Sequence, residues 1–381
     1  MDFALTEPQV MLRDMVRELA SREIAPLAAQ ADREQEFPMR QFRALAAADL
    51  LGIPFPEEVG GMGGTTLDYV LALEEVCRAC ASTGVTMSVQ TSLAASPIYR
   101  FGTEDQKTRY LEPLCRGDRL GAYSLSEPGS GTDAAALSCL ARRDGDDYLL
   151  TGTKVFVTNG FHADVYIVYA TVDPALKHKG ITAFIVEKGT PGFRFGKKED
   201  KLGIRASSTY ELLFKDCRVP AANRLGQEGE GFKIAMWTLD GGRIGISAQA
   251  IGIAQAALDA CLRYVDERQT FGKKLSDHQA IAFMLAEMAT DLEAARLLCW
   301  RAASLKDAGQ DHSEAASIAK LFASEMAMRT TTKAVQIHGG YGYTTDFPVE
   351  RLMRDAKITE IYEGTSEAQR MVISRAELAA R

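Results

Sequence analysis

The sequence predicts an α+β protein built from three successive blocks: all-α over residues 1–119, β over 120–226 and α again over 227–381. Two changes of hydrophobic period carry this reading. Apolar residues recur at helical spacing near the N-terminus, give way to short β-branched and aromatic runs after about residue 120, and return to helical spacing after Gly231.

In the first block Thr6 and Gln9 form a capping-box pattern, and Val10, Val16 and Leu19 begin an apolar face. Pro54-Phe-Pro56 and Gly60-Gly-Met-Gly-Gly64 read as loops, and Leu67 to Ala81 as a further helix. The second block contains Tyr148–Val157, Val165–Val172, Ile181–Val186 and Tyr210–Phe214, runs bounded by Gly, Asn, Asp and Pro. With no helical stretch between them, these strands predict a small barrel or sandwich, with a turn at Asn159-Gly160. In the third block Met284, Met288, Leu292, Ala295, Cys299 and Ala302 fall on one helix face, a core stripe. Gly339-Gly-Tyr-Gly342 interrupts the last helical region with a loop, and Ser366 with Gln369 reads as a capping box opening a terminal helix.

At 381 residues and 46% hydrophobic content, the chain can bury two or three cores. With 44 Lys plus Arg against 51 Asp plus Glu, the formal charge is −7, and no basic run offers a phosphate-backbone footprint, so nucleic acid is not expected as a partner. Neither a signal-peptide pattern nor an 18-residue uncharged apolar window is present, so a soluble, cytoplasmic protein without a membrane partner is expected. Seven scattered cysteines fit a reducing compartment; Cys77-x-x-Cys80 reads as two thiols on a helix. The five histidines show no i, i+4 pair, and no metal site is expected.

Standard catalytic templates are absent: there is no G-x-S-x-G, and Gly196-Lys-Lys and Gly272-Lys-Lys lack the Ser or Thr of a P-loop. Gly129-Ser-Gly-Thr-Asp-Ala134 matches a loose dinucleotide fingerprint but leads into strands rather than a βαβ unit. The same loop, Tyr123 to Asp133, is rich in small residues and hydroxyls that let backbone N–H groups approach a flat heteroaromatic ring or a thioester tail. It is equally readable as an ordinary tight loop. In Ile361–Arg370, Glu363 stands just before the terminal helix, where a carboxylate is also favoured simply by the helix dipole.

Ser124–Asp133, Val155–Gly160, Arg268–Gly272, Gln336–Gly340 and Arg351–Glu367, in this order and spread over all three blocks, resemble the acyl-CoA dehydrogenase family end to end. The resemblance implies that family's fold, with a C-terminal domain of four-helix-bundle type, and an FAD between the β domain and the C-terminal helices. It implies α,β-dehydrogenation of an acyl-CoA, with Glu363 as the α-proton base and the β-hydride passing to flavin N5. The Glu363 N–H and a flavin ribityl hydroxyl would hold the thioester oxygen. Such a base needs a site dry enough to raise its pKa, against the pull of the nearby helix N-terminus.

By the same resemblance Tyr123, Leu125, Ser126, Thr132, Phe156 and Thr158 correspond to flavin contacts, with Phe156 where some relatives carry Trp. Arg268, Phe271, Gln279, Gln336, Gly339 and Gly340 correspond to positions that bind the FAD diphosphate and adenosine partly across subunits, implying a homotetramer. Thr365 and Glu367 join the cofactor set. Ser126, Thr132, Asp240, Arg243, Tyr362 and Gly364 correspond to substrate-side positions, Asp240 and Arg243 being readable also as a helix-start ion pair. Isovaleryl-type and long-chain relatives carry their base at the position of Gly242, which leaves Glu363 here, and nitroalkane-oxidising relatives have Asp at the Glu363 position.

The activity so implied is conversion of a short straight or 2-methyl-branched acyl-CoA to the trans-2-enoyl-CoA, with electrons passing to electron-transfer flavoprotein. Met87–Leu93 and Ile361–Tyr362 are the nominated acyl-pocket walls. An acyl-CoA oxidase and a catalytically silent flavin- or acyl-CoA-binding protein are the alternatives.

Overall fold

The computed structural model of the protein describes residues 3–379. Its N-terminal helices are α1 (Glu7–Leu19), α2 (Ala25–Glu34), α3 (Met39–Ala47), α4 (Thr66–Ala79), α5 (Ala81–Ser88), α6 (Ser96–Phe101), α7 (Glu104–Gln106) and α8 (Glu112–Arg116). Gln9 accepts the Thr6 N–H at 3.0 Å, as expected of the box that starts α1. The helix expected over Leu67–Ala81 is broken: Cys80 is extended (φ −158°, ψ 110°) between α4 and α5, so of this pair Cys77 alone lies within a helix. All seven cysteines are buried and unpaired.

The middle block is β1 (Gly121–Ser124), β2 (Leu140–Asp144), β3 (Asp147–Thr158), β4 (Val165–Thr171), β5 (Ile181–Glu187), β6 (Phe193–Lys198), β7 (Thr209–Pro220) and β8 (Arg224–Leu225). These strands form one mixed sheet in the order β6-β7-β3-β2-β4-β5-β8, with β1 running parallel beside β4. Every residue of β4 is buried, which is why Val-Tyr-Ile-Val-Tyr-Ala-Thr reads as a continuous apolar run and takes a central place. The ladder between β3 and β7 slips in register between Lys154 and Val157. Such a slip re-aims side chains. Here it turns Lys154 fully inward and leaves Phe156, at φ +57°, 68% exposed.

The C-terminal block is α9 (Gly231–Glu267), a hairpin β9 (Gln269–Thr270) and β10 (Lys273–Lys274), then α10 (Gln279–Asp307), α11 (Ser313–His338), α12 (Val349–Lys357) and α13 (Ser366–Ala379). By length and composition α9 could cross a bilayer, but 83% of its most apolar window is buried inside the fold, making it a core helix. Met288, Leu292, Ala295, Cys299 and Ala302 are buried along α10, as the stripe predicts. Asp240 and Arg243 do not start a helix: α9 already runs from Gly231, and the pair lies within it.

Three contacts tie the blocks together. Asp355 of α12 accepts the Ile204 N–H at 2.5 Å, Arg354 pairs with Asp32 of α2 at 2.9 Å, and Gln35 donates to Asp200 at 3.0 Å. Burial lifts Asp355 to about 6.

Candidate active site

Glu363 stands on the turn between a 3-10 segment, Ile358–Glu360, and α13. Glu363 (φ +53°) and Gly364 (φ +93°) are both left-handed, a conformation that costs a non-glycine residue about 1–3 kcal/mol and persists only where its surroundings enforce it. Two side chains do so. Gln369 of α13 donates to the carbonyls of Gly364 and Glu363 at 2.8 and 3.3 Å, and Lys320 of α11 donates to the Gly364 carbonyl at 2.6 Å. Gln369 is therefore no capping-box partner of Ser366; the cap is Thr365, whose hydroxyl accepts the Ala368 N–H at 3.3 Å.

Glu363 is half-buried, and its Oε2 is buried with no hydrogen-bond partner. Desolvation pushes Glu363 up to about 7 against the pull of Lys320 and Arg243. Burial likewise raises Tyr69, Tyr123 and Tyr362, each further raised by the Glu363 charge. Beneath the carboxylate lies Gly242 of α9, where a Cβ would stand 2.0 Å from Oε2 and 2.9 Å from Cδ2 of Leu93. This explains a glycine inside a long helix: the Glu363 carboxylate occupies the space a side chain would need. Arg243 is held by Asp240 at 2.5 Å, and Asp240 also accepts from Ser313 at 3.0 Å. Tyr362 donates to Gln249.

A second group surrounds the loop after β1. Tyr123 lies against Tyr169, with ring centroids 5.2 Å apart; Leu125 is buried, Ser126 and Thr158 are half-buried, and Thr132 and Phe156 are exposed. A Cβ at Gly129 or Gly131 would meet nothing within 4 Å, so the loop opens onto free space. Behind it stands an ion pair that sequence reading missed. Lys154 donates to Glu127 at 2.8 Å and to the Leu125 carbonyl at 2.9 Å, while Glu127 also accepts from Ser138 N–H and Oγ and from Cys139 N–H at 2.6, 2.7 and 2.9 Å. Burial works to raise Glu127, but Lys154 and the Ser138 donors outweigh it and hold the carboxyl below its usual value. The available signal was a lysine among apolar neighbours in a strand.

The third group forms a separate face. Arg268 ends α9 with its guanidinium 5.6 Å from the Tyr341 ring centroid, and Tyr264 stacks on His338 at 4.2 Å, which brings the hairpin and the Gly339–Tyr343 turn together. Arg268, Gln279, Gln336, Gly339 and Gly340 are all exposed, and Phe271 is 97% exposed. Among the described residues no hydrogen bond, ion pair or ring contact joins this face to Tyr123, Leu125, Ser126, Thr132, Phe156 or Thr158. Glu367 is exposed and held low by the helix start. Among the described residues no group of three or more His, Cys, Asp or Glu could hold a metal.

The chain matches the acyl-CoA dehydrogenase N-terminal domain over residues 6–118, the middle domain over 122–217 and the C-terminal domain over 229–378. The chain belongs to the acyl-CoA dehydrogenase family. Acyl-CoA dehydrogenases are oxidoreductases. The short-chain-specific acyl-CoA dehydrogenase of Clostridium acetobutylicum is 53% identical over 98% of this chain and 99% of its own length. Butyryl-CoA dehydrogenase from Megasphaera elsdenii, a solved structure, superimposes with a TM-score of 0.98 at 49% identity, covering 99% of this chain and 100% of that one. PigA, solved with FAD and proline, gives a TM-score of 0.96 at 28% identity over 100% of both chains.

Members of the acyl-CoA dehydrogenase family are FAD-dependent, and the residues present fit such a group. An exposed aromatic ring at a strand irregularity, a glycine loop facing free space and the buried, unpartnered hydroxyls of Tyr123 and Ser124 suit a flavin.

Proposed function

We propose that this chain is an FAD-dependent short-chain acyl-CoA dehydrogenase converting a straight or 2-methyl-branched acyl-CoA to the trans-2-enoyl-CoA. FAD, when bound, supplies the hydride acceptor at N5. Glu363 takes the proton from the carbon next to the thioester carbonyl, and the backbone N–H of Glu363 stabilises the negative charge developing on the thioester oxygen. The observation that carries this reading is the buried, unpartnered Oε2 of Glu363, raised to about 7 and standing over the bare backbone of Gly242.

Tyr123, Leu125, Ser126, Thr132, Phe156, Thr158, Thr365 and Glu367 line the flavin in this reading; Asp240, Arg243, Tyr362 and Gly364 lie on the substrate side with Ser126 and Thr132. The short-chain preference is supported by the likeness to the short-chain-specific and butyryl-CoA dehydrogenases. The exposed face at Arg268, Phe271, Gln279, Gln336, Gly339 and Gly340 takes the FAD diphosphate and adenosine of a neighbouring subunit in a cytoplasmic homotetramer, and electron-transfer flavoprotein accepts the electrons. The three blocks, 1–119, 120–226 and 227–381, serve as the domains of this arrangement.

Anaerobic titration of the purified flavoprotein with butyryl-CoA tests it: the visible flavin absorbance is expected to bleach. A yellow protein that stays oxidised with butyryl-CoA and with longer and branched thioesters would remove the dehydrogenase reading.

A further inference from the structure

Lys320 lies about two turns into α11 and is fully buried. Burying an ammonium is costly unless a carboxylate and further acceptors compensate it. Among the described residues no carboxylate lies within ion-pair distance of Lys320; its hydrogen bond goes to an uncharged acceptor, the Gly364 carbonyl, at 2.6 Å. A methionine could fill that space without desolvating a charge, so packing alone does not account for the lysine. The group that needs this charge is Glu363, the strongest electrostatic partner of Lys320. The turn also needs the grip, because Glu363 and Gly364 both hold left-handed backbone conformations.

We propose that Lys320 is a positioning residue for proton abstraction: its ammonium clamps the Gly364 carbonyl from α11, together with Gln369, and sets a positive charge near the Glu363 carboxylate. This rests on Glu363 being the base. Lys320 does not touch the reacting carbon. Burial lowers Lys320 itself to about 8, so its charge is present while Glu363 ionises near 7, and Oε2 of Glu363 stays unpartnered. The other groups acting on Glu363 are Arg243 from α9 and the phenols of Tyr69, Tyr123 and Tyr362, while Glu360 and Glu367 also act on Lys320.

The test is stopped-flow reduction of the holoenzyme by butyryl-CoA as a function of pH, in wild type, K320M, K320Q and K320R. Removing the charge destabilises the ionised base, so K320M is expected to move the midpoint of the rate rise up by about one pH unit. Loss of the grip is expected to lower the plateau about tenfold. K320R should return the midpoint to wild type. K320Q keeps a donor for the carbonyl but no charge, so it carries the midpoint test if K320M does not fold. A wild-type midpoint in either neutral variant overturns the inference. E363Q is the control: flavin reduction surviving there overturns the assignment of the base, whereas an inert E363Q beside neutral Lys320 variants of wild-type behaviour overturns only the role of Lys320.

Discussion

Lys154 and Lys320 are both fully buried, and each lies close to a glutamate, yet the two sites do opposite things. Lys154 bonds Glu127 directly at 2.8 Å, and Ser138 and Cys139 fill the remaining acceptor positions, so that carboxylate is saturated and held low. Lys320 bonds a carbonyl instead, and Glu363 keeps an empty oxygen and a raised pKa. The difference lies in where the ammonium's hydrogen bond goes. A carboxylate that receives it is a strut; one that feels the charge without the bond is left free to take a proton.

The sharpest way to break this contrast is to neutralise each glutamate. Glu363→Gln is expected to retain fold and FAD while flavin reduction by butyryl-CoA falls by about 10²–10⁴-fold, the range of a general base, as read by stopped-flow absorbance. Glu127→Gln should do the reverse, releasing FAD and lowering stability before it touches the rate per bound flavin. A Glu127→Gln enzyme that kept its flavin and stability but lost the rate would erase the distinction.

Next in size is removal of the strut's cation. Lys154→Met leaves Glu127 buried without its countercharge, and breaking such a pair costs about 3–5 kcal/mol, which urea unfolding would register. Replacing both partners with apolar residues is expected to recover much of that loss, since the surviving charge is what makes the single change costly. FAD content should fall in both variants, because the Leu125 carbonyl loses its donor in each.

The same contrast explains what the sequence made legible. The β4 run and the α10 stripe could be read because burial imposes a repeat, and β3 to β5 and β7 were placed from their β-branched and aromatic content. β2 and β6 escaped: Leu-Ala-Arg-Arg-Asp and Phe-Arg-Phe-Gly-Lys-Lys carry charges and a glycine where a strand signal should be. Asp240 and Arg243 were readable as a helix-start ion pair, whereas α9 passes straight through them; Gly241 and Gly242 between them make room for Lys306 and Glu363, a tertiary reason invisible locally. Glu363 stood out through its motif. Lys154, Glu127 and Lys320 did not, because nothing in a one-dimensional pattern says which lysine turns inward or which partner it meets.

The smallest expected effect concerns stability rather than rate. Glu363 is raised from 4.5 to about 7 in the folded protein, so between those values the folded state binds more protons than the unfolded one. Its contribution is therefore complete below pH 4.5 and is lost as pH rises through about 7, leaving an ionised, desolvated carboxylate as a liability. Glu363→Gln removes that liability, although Lys320 then loses its strongest favourable charge partner, which returns part of the gain. The net expectation is a variant more stable than wild type at pH 8 by on the order of 2 kcal/mol and no more stable at pH 5, measured by denaturant unfolding of the two holoenzymes. The same comparison at Glu127 should have the opposite sign, with wild type the more stable at pH 8, because that carboxylate is held low and its stabilisation is present when it is ionised. If both glutamates behaved alike with pH, the division between strut and base would have no thermodynamic content.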